Sequence, residues 1–290
     1  MEYPPSLLVS GAVFVASLAV GFVLWRLRRR LRAYVDKVSA CGYIHTRPTW
    51  SATMFLRAFS RFCAFIQVGK IRVIGGENLD ISGPVLVTPN HPSWVDPAVA
   101  VLTLKRPARF LAARRFFRFC FGLPSLIAAR CGAISVDLRR GKGRPAHDAS
   151  VEVLRRGETL VMFPEGYAYL DSKLGPFRKG ATRIAREAAG KLGRPVAIIP
   201  MCIRYGRSPG SWIRKWNEPT QYFWTLLNAW YYRRGATVVI GKPISSADLP
   251  QGDTEAADFL AAAIARLDPI GQMKALPSGV GLPYPSDTQE

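Results

Sequence analysis

Acidic residues are scarce in this chain. Asp and Glu total 20 against 40 Lys and Arg in 290 residues, a formal net charge of +20 at pH 7. A surplus of that size calls for an anionic partner: nucleic acid, an anionic membrane surface or a phosphorylated substrate. Cysteine is sparse too. The five, at positions 41, 63, 120, 131 and 202, are odd in number and form no CxxC pair. That argues against a disulfide framework or a zinc site and fits a reducing compartment. Only three histidines occur, so any imidazole chemistry has few sources. No internal repeat or low-complexity tract is evident. Charged residues make up 21% and hydrophobic ones 49%, which excludes global disorder. The length suits one large α/β domain or two small ones, able to bury a core without staples. The mean hydropathy of +0.07 is high for so basic a chain, so apolar residues must be concentrated somewhere.

One such place is Ser6 to Trp25, which carries no charged residue. About twenty helical residues span ~30 Å, the thickness of a bilayer core. Arg26, Arg28, Arg29, Arg30 and Arg32 follow at once, and only Glu2 precedes. The positive-inside rule then predicts a single-pass membrane protein with the rest of the chain in the cytoplasm. A cleaved signal peptide would carry its positive charge before the apolar run, not after it. The expected organisation is a transmembrane anchor with basic flank at 1–32, an amphipathic connector at 33–69, a main domain at 70–269 and a flexible tail at 270–290. Within the connector, Trp50 to Val68 spaces Met54, Phe55, Phe59, Phe62, Phe65 and Ile66 as a helical stripe, with Arg57 and Arg61 interleaved. Such a helix lies on anionic lipid or packs on the domain, and its periodicity does not choose between them.

From Lys70 the pattern is α/β. Strands are predicted at Ile71–Ile74, Val85–Thr88, Ala133–Val136, Thr159–Phe163, Val196–Pro200 and Thr237–Ile240, and helices at Asp96–Leu104, Lys179–Leu192 and Ala256–Leu267. The alternation predicts an open, mixed but mostly parallel sheet flanked by helices. Trp212, Trp216, Tyr222, Phe223, Trp224, Trp230, Tyr231 and Tyr232 interrupt that scheme, with Arg214, Lys215, Arg233 and Arg234 beside them. The cluster fits the headgroup layer of a membrane, an aromatic core or a base-stacking surface. The apolar run at Ser6–Trp25 weighs against nucleic acid as the partner.

Three groups of residues carry potential chemistry. His91 follows a predicted strand in Thr-Pro-Asn-His-Pro-Ser-Trp-Val-Asp, five residues before Asp96. An imidazole titrates near neutrality and can take a proton from a hydroxyl, and a carboxylate on its other nitrogen fixes the tautomer. The two meet only if His91 sits in the loop and Asp96 in the first helical turn, an entry that Pro92 favours. Ser93 and Asp96 also fit a capping box. Phe163-Pro164-Glu165-Gly166 places an acid at a strand end. Its glycine permits close approach or a positive φ, though the stretch also fits a simple turn. Arg139, Arg140, Lys142 and Arg144 form a basic loop that also contains His147, and Arg178 and Lys179 follow further on. These suit phosphate recognition or a solvated face. Gly206-Arg207-Ser208-Pro209-Gly210 matches a nucleophile elbow, but Pro209 has no N–H to serve as oxyanion donor, so a Ser208 hydrolase is excluded.

Asn90-His91 with Asp96, then Gly132 to Asp137, then Phe163-Pro164-Glu165-Gly166, then Val196 to Pro200, resemble in order the four motif blocks of the glycerolipid acyltransferases, which include glycerol-3-phosphate and lysophosphatidate acyltransferases. The resemblance covers about residues 70 to 245. Leu174 to Ala181 also looks like the stretch that follows the third block. The resemblance implies an O-acyltransferase moving a fatty acyl group from acyl-CoA or acyl carrier protein, as co-substrate, to a hydroxyl of a membrane lipid. No cofactor or metal is implied. His91 would be the general base and Asp96 its orienting partner, with Asn90, Glu165, Gly166, Arg139, Arg140, Arg178 and Lys179 on the substrate side. Two positions depart from the family pattern. Leu138 stands where the second block usually has Arg, and Tyr167-Ala168-Tyr169 replaces a Thr-Arg-Ser continuation of the third. A phosphate-binding Arg is therefore missing, for which Arg178 or Lys179 would substitute. The departure keeps open an acceptor without phosphate, or a lipid-binding protein without turnover.

Overall fold

The structure, a computed structural model, describes residues 5–45, 48–118, 123–139, 141–170, 173–208, 210–216, 218–271 and 273. In chain order its elements are α1 (Pro5–Val38), α2 (Trp50–Gln67), β1 (Ile71–Ile74), β2 (Val85–Pro89), α3 (Asp96–Thr103), β3 (Ala108–Ala113), α4 (Arg114–Arg118), α5 (Leu123–Ala128), β4 (Ala133–Val136), α6 (Arg144–Arg155), β5 (Thr159–Val161), α7 (Gly180–Leu192), β6 (Ala197–Tyr205), α8 (Glu218–Leu227), α9 (Ala229–Tyr232), β7 (Ala236–Ile240), β8 (Ile244–Ser245) and α10 (Asp253–Ala265).

The strands form one sheet in the order β1-β7-β6-β2-β5-β3-β4, with β8 also paired to β6. Among the described residues the pairings β1–β7, β6–β2, β2–β5, β5–β3 and β3–β4 are parallel, and only β6–β7 and β6–β8 are antiparallel. The expected mixed, mostly parallel sheet is what forms. β2 is buried at all five positions, as befits a central strand covered on both faces. Along it Leu86 points to one core and Val85 and Val87 to the other. β6 alternates likewise, Ile198 and Cys202 against Ile199, Met201 and Ile203. The first core is closed by α6, α7 and α10, the second by α2 and α3.

Several boundaries differ from expectation. The strand starting at Thr159 ends at Val161, so Phe163 belongs to the following turn. The strand expected to stop at Pro200 runs on to Tyr205, because Met201 to Tyr205 pair with β7. β3 was not expected, since Ala108–Ala113 contains no β-branched residue; it forms because Phe110 is buried and Arg109 pairs with Glu158 at 2.6 Å. The basic stretch after Arg139 is not all loop. Arg144 and His147 lie on α6, with Pro145 in the first turn, where its missing N–H costs nothing.

α1 is continuous for 34 residues, about 51 Å. Among the described residues, no helix is long and apolar enough to cross a membrane. The side chains of residues 5–16, within the expected anchor, lie outside the description. α1 passes Arg32, and Val38 in its last turn packs with Phe117 and Ala129. On α2 only Ser60 and Ala64 are buried, while Phe55, Phe59, Phe62 and Phe65 are exposed. The helix thus seats its small residues on the domain and turns its rings outward. Most of the expected tail at 270–290 lies outside the described residues, as does Cys120.

Candidate active site

The site lies at the carboxyl ends of β2 and β5, where open α/β sheets place their ligands. β2 stops at Pro89, and α3 begins at Asp96 with Pro97 in its first turn. Between them His91 sits in a loop, so residues five apart in sequence meet. His91 Nδ1 is 2.7 Å from Asp96 Oδ2. The imidazole is 14% exposed and the carboxylate 0%, so one partner faces the cleft and the other is sealed beneath it. Asp96 Oδ2 also accepts the Ser93 N–H at 2.8 Å. This is the return half of the expected capping box; the Ser93 hydroxyl instead accepts from Val95 N–H at 3.4 Å. Asp96 Oδ1 accepts the Tyr205 hydroxyl at 2.6 Å. Burial pushes the Asp96 carboxyl above the usual carboxylate range, opposed by the hydrogen bonds from His91, Tyr205 and Ser93. Burial and the neighbouring carboxylate hold the Tyr205 phenol well above its ordinary value, so it stays a donor.

The imidazole plane is set from a second side. Phe163 stacks on it, with centroids 4.2 Å apart and planes 24° from parallel. Trp94 meets it edge-on at 6.3 Å and reaches Tyr167 at 5.7 Å. With Nδ1 committed to Asp96, Nε2 is the nitrogen left to exchange a proton with a bound hydroxyl.

The other sequence-identified residues fall into three places. Asn90 is buried beside His91, and its amide continues the sheet: Nδ2 donates to Ile203 O at 3.1 Å and Oδ1 accepts Ile203 N–H at 2.6 Å. Glu165 is buried, Oε1 accepting His91 N–H at 2.6 Å and Oε2 accepting Gly175 N–H at 2.8 Å. Its carboxylate ties the His91 loop to Gly175, farther along the connection between β5 and α7. Gly166 takes φ +70°, and a Cβ there would lie 2.8 Å from Arg178 Nε, so the glycine admits that guanidinium to the turn. Arg178 N–H donates to Pro164 O at 2.8 Å. Lys179 caps α7 next to it.

Arg139 lies elsewhere. β4 is three strands from β2, about 14 Å across the sheet. Its guanidinium forms a fork on Asp137, with Nε–Oδ1 at 3.0 Å and an Nη–Oδ2 contact at 2.7 Å. That pairing holds Asp137 down at about 2. Arg140 lies outside the described residues. Three residues around the pair carry no site signal of their own in the sequence. Phe163 and Trp94 sit inside the quoted motifs, but nothing marks Tyr205, which reaches Asp96 across 109 positions. His147, Asp148 and Glu187 come close enough to share an ion. Arg144 and Lys191 already pair with those acids, and the cluster is explained as an ion-pair network.

The family model described as Acyltransferase matches residues 70–204. That match spans 135 of the 290 residues, just under half of the chain. Over 133 residues it is 26% identical to a 1-acyl-sn-glycerol-3-phosphate acyltransferase of Borreliella burgdorferi, covering 46% of this chain and 52% of that one. Over 138 residues it is 30% identical to a chloroplastic 1-acyl-sn-glycerol-3-phosphate acyltransferase of Arabidopsis thaliana, covering 46% and 36%. A lyso-ornithine lipid O-acyltransferase of Pseudomonas aeruginosa is 28% identical over 148 residues, covering 51% and 52%. The chain thus matches about half or less of the length of these curated relatives. The crystal structure of the 1-acyl-sn-glycerophosphate acyltransferase PlsC from Thermotoga maritima shares the fold, with a TM-score of 0.53 at 17% identity over 88% of this chain and 90% of that one. The matched stretch contains His91, Asp96 and Glu165, and ends one residue before Tyr205.

Proposed function

We propose that this chain is a membrane-anchored O-acyltransferase that moves a fatty acyl group from acyl-CoA or acyl carrier protein to a hydroxyl of a glycerol-phosphate or lysophospholipid-type acceptor. The observation that carries the reading is the 2.7 Å contact between His91 Nδ1 and the buried Asp96, inside a stretch matching an acyltransferase domain. His91 Nε2 takes the proton as the acceptor hydroxyl oxygen bonds to the thioester carbonyl carbon. Asp96 stabilises the imidazolium that results. The tetrahedral intermediate collapses with cleavage of the C–S bond, and the imidazolium returns its proton to the departing thiolate. Acid and base balance within one turnover, with no metal or cofactor and no acyl-enzyme. The charge-free run at Ser6–Trp25 and its arginine flank anchor the chain on the cytoplasmic leaflet, where the acceptor and product reside. Alkaline extraction tests this part: the full chain stays with the membrane pellet, and release into the supernatant would refute the anchor.

A second reading concerns the acceptor. Tyr167 and Tyr169 are buried where the family pattern would have a phosphate-binding Arg nearby, and Tyr167 packs edge-on to Trp94 at 5.7 Å. These rings favour a lysolipid whose headgroup lacks a phosphate ester. Purified protein, labelled acyl-CoA and a panel of lysophosphatidate, lysophospholipid and phosphate-free lysolipid acceptors decide between them. Turnover on one class identifies the acceptor, and binding without turnover on any would reduce the protein to a lipid-binding relative of the fold.

A further inference from the structure

The segment between β6 and β7 lies beyond the matched acyltransferase stretch, and its two faces are unlike. Its inner face is fixed. Ile213 is fully buried with Ala168 and Leu170 of the third-block loop, and Gly210 N–H donates to Leu170 O at 2.8 Å. Trp212, Trp216 and Trp224 pack edge-on in a triangle with centroids 5.3 to 6.1 Å apart. That arrangement makes a rigid platform, not a loose loop.

Its outer face is apolar and uncovered. Phe223 is 63% exposed, Leu227 65% and Trp230 84%. A soluble domain seldom leaves three large apolar side chains of one short segment so open. They continue the exposed rings of α2, against which α9 packs. Arg233 fastens the two: its Nε donates to Phe65 O at 2.6 Å, and its guanidinium lies 4.8 Å over the Phe65 ring. Cations rim the joined surface. Arg61, Lys215, Arg233 and Arg234 are exposed, and Arg207 caps Tyr231 at 4.1 Å. Below it a small cavity bounded by Gln67, Ser93, Tyr205, Arg207 and Thr225 leads to the His91 loop.

We propose that α8 and α9, joined to the outer face of α2, form a bilayer-docking surface whose occupant is the headgroup layer of an anionic membrane. Apolar rings enter the headgroup–acyl boundary while the rim cations meet lipid phosphates. The third-block loop, carried on the inner face of the same platform, is thereby held at the interface. The inference rests on the reading of this chain as a membrane enzyme and adds a contact separate from α1.

The test is tryptophan quenching in the full chain, reconstituted in phosphatidylglycerol-containing vesicles. Trp230's signal is taken as the difference between the wild type and Trp230→Phe. The expected result is quenching of that signal by lipids brominated near the headgroup, with several-fold weaker quenching by aqueous acrylamide than for free indole. Trp230 quenched by acrylamide as freely as indole would overturn the proposal. So would shielding from both quenchers, the mark of a second protein copy on the face. This readout needs no turnover, so it fails separately from the acyltransferase reading. A second variant, Phe223→Ser/Leu227→Ser/Trp230→Ser, tests the consequence. Transfer to bilayer-embedded acceptors is expected to fall about tenfold, with transfer to a short-chain, water-soluble acceptor unchanged. Equal effects on both acceptors, or no effect on either, would count against docking.

Discussion

The loop at His91 and the segment at 206–235 touch each other yet obey different rules. Around His91 the carboxylates of Asp96 and Glu165 and the amide of Asn90 are committed. Asp96 accepts three donors, and Glu165 and Asn90 satisfy backbone groups at bonding distance. Phe223, Leu227 and Trp230 are by contrast large, apolar and open to solvent. A pre-organised polar site gains from rigid partners, since each buried donor left unmade costs about 1–3 kcal/mol. A surface built to meet another phase must instead leave its apolar area unsatisfied until that phase arrives. Both demands are met here by one platform with a packed inside and a bare outside.

The sharpest way to break that contrast is His91→Ala. Loss of a general base typically costs 10²–10⁴-fold. A fall in kcat/KM of about a thousandfold, some 4 kcal/mol, is therefore expected with membrane recovery and circular dichroism unchanged. A folded His91→Ala protein with near-normal transfer would remove the imidazole from the reaction. Asp96→Asn comes next. It removes the charge that stabilises an imidazolium and turns an N–H toward one of the donors now facing Oδ1 and Oδ2. A loss of about a hundredfold in kcat is expected, with an unfolding free energy lower by about 1–3 kcal/mol. If stability falls while kcat holds, Asp96 is a helix-start residue alone.

On the aromatic side the matching experiment is Ile213→Ala. Ile213 is fully buried, and truncating such a side chain costs about 2–4 kcal/mol. Protease cleavage within 206–235 should rise many-fold while the sheet core stays protected. Equal protection of wild type and variant would mean that the platform is not held from within.

Legibility in sequence divided along the same line. His91 and Asp96 are close in the chain, and Pro92 forces the loop between them, so their encounter is a local matter that spacing can express. The parallel sheet is legible in Val85-Leu86-Val87 and Ile198-Ile199, because a strand buried on both faces must be apolar without alternation. β3 is not, since Ala108–Ala113 has no β-branched residue and owes its place to neighbours on either side. α6 is hidden by the Arg/Gly run before it. Tyr205 is invisible because its contact depends on β6 running past Pro200 to pair with β7. The aromatic segment reads as core, membrane face or stacking surface from composition alone. Only burial separates Ile213 from Trp230.

The smallest predicted effect concerns charge at the far edge of the sheet. Arg139 is half exposed and its fork is spent on Asp137, whose carboxyl is held at about 2. A carboxyl with a folded value below its unfolded one, near 3.9, adds stability that is present above that unfolded value and lost as pH falls toward about 2. Acid titration of unfolding should show this loss between about pH 4 and 2 in the wild type and a flatter profile in Asp137→Asn. Asp137 itself is buried, but its partner Arg139 is half exposed and screened by solvent, so the difference should stay at about 1 kcal/mol. Transfer activity at neutral pH should change less than severalfold in that variant, because β4 stands about 14 Å from β2. A large loss of activity would bring the second motif block into the His91 site and erase the separation between an anchored sheet edge and the reacting centre.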